Sequence, residues 1–155
     1  MITTGRILRG AGRWPLLVAA CLVAARLMAP VDAAPLPVAK VDREGPVVFE
    51  SDILPILQRK CLACHSASER RGDLVLETVE AMLKGGDTGP ALVRGSAEKS
   101  LLVTLAAHRD DPVMPPQGND VNAVNLTAEE LGLLVAWVDR GAKTSGRASA
   151  ASPQR

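Results

Sequence analysis

Cys61-Leu62-Ala63-Cys64-His65 is the stretch from which the rest of the chain is read. On a helical turn, cysteines at i and i+3 point to one side, so two thiols reach two vinyl groups of a single porphyrin. The next side chain, His65, is rotated further round and can bring its imidazole to the iron. Five consecutive residues thus supply two thioether bonds and one axial ligand, the pattern of covalent c-type haem attachment.

Three other readings of the motif compete with this one. A thioredoxin-like redox pair calls for a strand-rich α/β surround, and no such pattern flanks these cysteines. A disulfide between near neighbours closes a tiny loop and stabilises little. A zinc site needs a second ligand pair, whereas outside the motif the chain offers only His108 and Cys21.

Toward the N-terminus the chain carries Arg6, Arg9 and Arg13, an apolar run from Trp14 to Ala25, and small residues at Val31-Asp32-Ala33-Ala34. That order predicts a secretion signal over 1–33, cut after Ala33, and an exported, periplasmic location. Two membrane-attached alternatives stand beside it. One is an uncleaved leader, although Arg26 interrupts an apolar run shorter than the roughly 20 residues a span requires. The other is acylation of Cys21 in the lipobox-like Val18-Ala19-Ala20-Cys21. Cleavage after Ala33 leaves Cys61 and Cys64 as the only cysteines.

The net charge of +1 includes that leader; without residues 1–33 the chain has 14 basic and 16 acidic residues, a net of −2. A nucleic-acid partner, which requires a cationic patch, is not expected. Aromatic residues make up 2% of the chain, and after the leader only Phe49 and Trp137 remain. A domain this poor in large side chains gains from an apolar prosthetic group in its core.

Residues 34–46, with Pro35, Pro37 and a charged run, read as a flexible tether. Ser51 is expected to cap a first helix with Ile53, Ile56 and Leu57 on its inner stripe and Pro55 in its first turn. Thr78 caps a short helix over 79–84 that stops at Gly85, and the glycines through Gly89 let backbone approach a haem face or simply turn the chain. A third helix spans 97–108 with Leu101, Leu102 and Leu105 inward. The last begins with the capping-box pair Thr127 and Glu130, carries Leu131, Leu134, Val135 and Val138 inward with Trp137 beside them, and stops at Gly141. Residues 144–155 lack any pattern and are expected to be disordered.

Several of these segments together resemble the planctomycete-type cytochrome c domain. They are Phe49 to Leu57, the Cys61–His65 motif, Gly85-Gly86 through Gly89 to Val93, Ser100-Leu101-Leu102, Met114-Pro115-Pro116 and Trp137 to Ala142. The resemblance runs from Phe49 to Ala142 and implies a cytochrome c domain over 47–143. It implies an all-α, cytochrome c-like fold of about four short helices around one covalent haem c, with His65 proximal and Met114 distal. The chain departs from the pattern at Ser66, where glycine commonly follows the histidine, and at Arg94, where proline commonly precedes Gly95.

Methionine and imidazole together fill both axial positions and raise the potential relative to two imidazoles, as suits an electron carrier rather than an enzyme. Pro115 and Pro116 stiffen the chain just after Met114. Met82 and His108 are the other candidate ligands, Met82 reading rather as core and His108 rather as solvated surface. The function expected is single-electron transfer between a donor and an acceptor redox protein. The alternative is a haem enzyme or gas sensor with an exchangeable distal ligand.

Overall fold

The computed structural model describes residues 34–146, so the secretion signal expected over 1–33 and most of the expected tail, 147–155, lie outside the described residues. Four α-helices organise them: α1 (Leu54–Lys60), α2 (Val79–Lys84), α3 (Leu101–Ala106) and α4 (Ala128–Asp139). Short 3₁₀ turns at Arg71–Asp73 and Ala97–Lys99 join them, and among the described residues there is no strand, only an isolated bridge between Gly86 and Gly89. The fold is all-α, as expected. Among the described residues no helix is long and apolar enough to cross a membrane.

The first helical segment begins earlier than Ser51. A π-helical turn, Phe49–Ile53, leads into α1, with extended Val48 at its N-cap. The Val48 N–H donates to Asp52 Oδ2 at 2.7 Å, and Arg43 Nη1 donates to Asp52 Oδ1 at 2.8 Å. Ser51 therefore caps nothing; the start is drawn back because Phe49 is buried against Trp137, ring centroids 5.6 Å apart and planes tilted by 30°. Pro55 falls in the first turn of α1, where its missing N–H costs no helical bond. Ile53, Ile56 and Leu57 are all buried.

The two later N-caps are where the sequence puts them. Thr78 accepts from the Ala81 N–H at 3.1 Å, and Gly85, at φ +78°, ends α2. In α4, Thr127 Oγ1 accepts from the Glu130 N–H at 3.2 Å while Glu130 Oε2 accepts from the Thr127 N–H at 3.0 Å. Leu131, Leu134, Trp137 and Val138 of α4 are buried, and Val135 packs at the edge of the core. Helix α4 packs against α3, the π turn and the 97–99 turn, so the core lies along its inner face.

The region 34–46 departs from the flexible tether that its prolines and charges suggest. The Leu36 N–H donates to the Ala107 carbonyl and the Ala39 N–H to the Ala128 carbonyl, both at 2.9 Å. Leu36 and Val38 pack against the core. Two apolar residues alternating with prolines already held extended form a strap, a pattern too short to register as periodicity. The strap crosses α4 at Gly132, where a Cβ would drive into the Ala39 carbonyl oxygen. The tail is also tied where it is described, since the Ser145 N–H donates to Glu50 Oε2 at 2.8 Å.

The third helix is shorter than 97–108 and splits at Ser100, whose buried hydroxyl donates to the Ser96 carbonyl at 2.9 Å and accepts from the Val93 N–H at 2.9 Å. His108 follows it in the left-handed region, at φ +54°. The turn folds its ring inward: it is 7% exposed and, among the described residues, neither ring nitrogen has a partner. This corrects the expectation of a solvated surface histidine.

Two predictions follow from these packing details. The Arg43 guanidinium and the Val48 N–H hold the Asp52 carboxyl below its ordinary value near 3.8. Its contribution is present above that value and is lost as pH falls through the lower, folded one. Asp52→Ala should cost about 1–2 kcal/mol at neutral pH, and thermal denaturation should show the gap from the unsubstituted protein narrowing in acid. At Gly132, alanine gains about 1 kcal/mol of helix propensity but overpacks the strap by about 1–3 kcal/mol. Gly132→Ala should therefore lower the melting temperature, and a rise would show that the strap yields freely.

Candidate functional site

Helix α1 ends by placing two N–H groups, of Cys61 and Leu62, on the Leu57 carbonyl at 2.8 and 2.9 Å. The next turn repeats the device, with the Cys64 and His65 N–H groups on the Cys61 carbonyl at 3.1 and 3.0 Å. Cys61, Cys64 and His65 thereby share one tight turn, and all three line a cavity of about 170 Å³.

The rest of the wall comes from distant parts of the chain. Leu101, Leu102 and Leu105, with Ala106 beside them, form an apolar side; the three leucines are half-buried because they face this cavity, while Val103 and Ala107 fill the protein core. Met114, Pro115 and Pro116 form another side, and Gly86 and Gly89 a third. Gly86 approaches so closely that a Cβ would meet the Gly72 carbonyl oxygen, and the Asp87 N–H donates to that same oxygen at 2.8 Å. This close approach is of one loop to another. Met82 is fully buried in the core, and neither it nor His108 lines the cavity.

His65 is fixed on several sides. Its N–H is on Cys61, its carbonyl accepts from the Leu76 N–H at 2.9 Å, and its Nδ1 lies 3.0 Å from the Arg71 carbonyl oxygen. A carbonyl cannot donate, so this bond requires the proton on Nδ1 and leaves the Nε2 lone pair free. Burial, aided by the Arg71 charge, lowers the imidazole pKa against the opposing pull of that carbonyl. The ring is thus neutral at neutral pH, the form that binds a metal.

The Arg71 carbonyl is presented by an unusual backbone. Arg70, Gly72 and Asp73 all have positive φ, at 45°, 68° and 52°. Conformations of this kind in non-glycine residues are sparsely populated and gather at functional sites. Arg71, which also lines the cavity, binds Asp120 across the fold through Nη1 at 2.7 Å and Nη2 at 2.9 Å. Its guanidinium holds the Asp120 carboxyl below the usual carboxylate range. Arg71, Leu74, Leu76, Asn119 and Leu126 are wall residues that the sequence does not mark. None carries a local signal, because each reaches the cavity only through the path of its loop.

The cysteines are unbonded, and burial pushes the Cys61 thiol up to about 12. A redox-active pair needs a thiol activated in the opposite direction. Among the described residues no group of three or more His, Cys, Asp or Glu side chains is placed to hold a bare metal ion. The donors here are two thiols, a neutral imidazole and a thioether around an apolar hollow, a set that fits a porphyrin attached through sulfur.

Residues 61–118 match the family model described as Planctomycete cytochrome C. No curated protein and no solved structure matches the chain. The matched span begins at Cys61 and includes both cysteines, His65 and Met114, so the likeness to that family covers the donor residues gathered at the cavity.

Proposed function

We propose that the protein is an exported monohaem c-type cytochrome that carries single electrons, with His65 and Met114 as the axial ligands. One observation carries this reading: Met114, far along the chain from the haem-attachment motif, lines the same cavity as Cys61, Cys64 and His65. Cys61 and Cys64 would hold the haem covalently. His65 would present Nε2 to its iron with the ring orientation set by the Arg71 carbonyl. When bound, the haem supplies one-electron redox chemistry at its iron.

The protein's own contribution is to bind, orient and exclude water. Leu101, Leu102 and Leu105 give the cavity a low-dielectric wall, which favours the less charged state of a site. The Met114 N–H, donating to the Leu105 carbonyl at 3.0 Å, ties the thioether-bearing residue to that same wall. As a ligand to that iron, the Met114 thioether would raise its potential and would leave no site open to substrate, which suits an outer-sphere carrier better than an enzyme.

Residues 1–33 read as the export signal, placing the protein in the periplasm or an equivalent compartment. A retained leader or an acylated Cys21 would tether it to the membrane instead. The partners are then a donor and an acceptor redox protein, and the net charge of −2 outside the leader does not suit nucleic acid.

Met114→Ala should abolish the sulfur-to-iron charge-transfer absorption of the oxidised protein and lower its reduction potential. An unchanged absorption spectrum would remove Met114 from the site. Carbon monoxide separates the carrier from a haem enzyme or gas sensor: slow binding to the reduced protein at neutral pH is expected of the carrier, and rapid binding would favour an exchangeable distal site.

A further inference from the structure

Met114 is carried on the long connection between α3 and α4, residues 107–127. Within it, Asn119 gathers Pro116 to Ala123 into one unit. Its Nδ2 donates to the Pro116 and Ala123 carbonyls at 3.0 and 2.9 Å, and its Oδ1 accepts from the Ala123 N–H at 2.8 Å. This unit follows Met114-Pro115 directly, so whatever holds it also holds the thioether-bearing residue.

Asp120 is the side chain of that unit that reaches across the fold. Both of its carboxylate oxygens are taken by the two terminal nitrogens of Arg71, a fork-to-fork geometry that is directional as well as charged. Arg71 belongs to the opposite, imidazole-bearing half: its N–H donates to the Cys64 carbonyl at 3.0 Å and its own carbonyl accepts from His65 Nδ1. One residue thus orients the proximal ring through its main chain and grips the distal loop through its side chain. The main-chain role survives any substitution of the side chain, so the two can be separated.

We propose that the Arg71–Asp120 pair is a latch that holds the Met114 loop closed over the cavity, making both side chains positioning residues that set how readily an outside ligand displaces Met114. The proposal rests on the His65/Met114 reading. The pair is exposed, at 45% and 68% for the two side chains. Its grip is therefore modest, worth about three- to five-fold in the open population at low salt. Exposure also makes it sensitive to ions: the screening length falls from about 30 Å to about 3 Å between 0.01 M and 1 M salt.

The test is stopped-flow binding of imidazole, in mildly alkaline buffer where the ligand is uncharged, to the oxidised, haem-loaded, full-length protein. In the unsubstituted protein the binding rate should rise with salt. Asp120→Asn should bind about three- to five-fold faster at low salt and lose the salt dependence. The charge-swapped double variant, Arg71→Asp with Asp120→Arg, should return toward the original rate and recover its salt dependence. A charge-transfer band present in the unsubstituted protein, with the same rate and salt dependence in Asp120→Asn, overturns the latch alone. No restoration by the swap also overturns it. Absence of that band before any substitution overturns the axial-ligand reading, and the latch with it.

Discussion

The hydrogen bond from His65 Nδ1 to the Arg71 carbonyl, 3.0 Å long, organises much of the site around it. It settles which nitrogen carries the proton, keeps the other free, and ties the ring to a loop whose backbone is held in left-handed conformations at Arg70, Gly72 and Asp73. That loop is fastened further by Arg71 to Cys64 and Leu76 to His65 in the motif, and by Arg70 to Ser66 just after it. A histidine so fixed loses little freedom on binding a metal, which is how a small domain can define a ligand geometry.

Around this centre the protein divides its apolar residues between two tasks. Phe49 and Trp137, the aromatic residues outside 1–33, pack together at the base of α4, with Trp137 Nε1–H donating to the Lys143 carbonyl at 3.0 Å. They build the protein's own core. Helix α3 serves both sides: Val103 faces the core, whereas Leu101, Leu102 and Leu105 face the cavity, with Ala106 at its edge. Half-buried leucines grouped on a concave wall are what an apolar guest would cover.

Legibility in the sequence followed the range of the interaction. The Cys61–His65 motif, the Thr78 cap, the Thr127–Glu130 box and the Gly141 stop are local, since each is completed within a few residues. What escaped was set by distant partners. Phe49 packing on Trp137 moved the first helical start away from Ser51, the strap depends on Ala107 and Ala128, and the His108 ring is turned inward by a left-handed turn. Arg94, a departure from the pattern the chain resembles, is explained by reach as well: its Nη1 donates to the Gly141 and Ala142 carbonyls at 2.9 and 2.8 Å, pinning the turn that follows α4. Arg71 and Asp120 are the same kind of case, since no short-range pattern pairs them.

Covalent attachment of one porphyrin at Cys61 and Cys64 is the claim on which the functional account stands. Its most direct measurement is the intact mass of the protein exported from cells with a haem-maturation system, read beside a pyridine haemochrome spectrum. The account predicts a mass gain of one haem, a spectrum of the two-thioether type, and loss of both in the Cys61→Ala, Cys64→Ala variant. A colourless exported protein with two free thiols would contradict it.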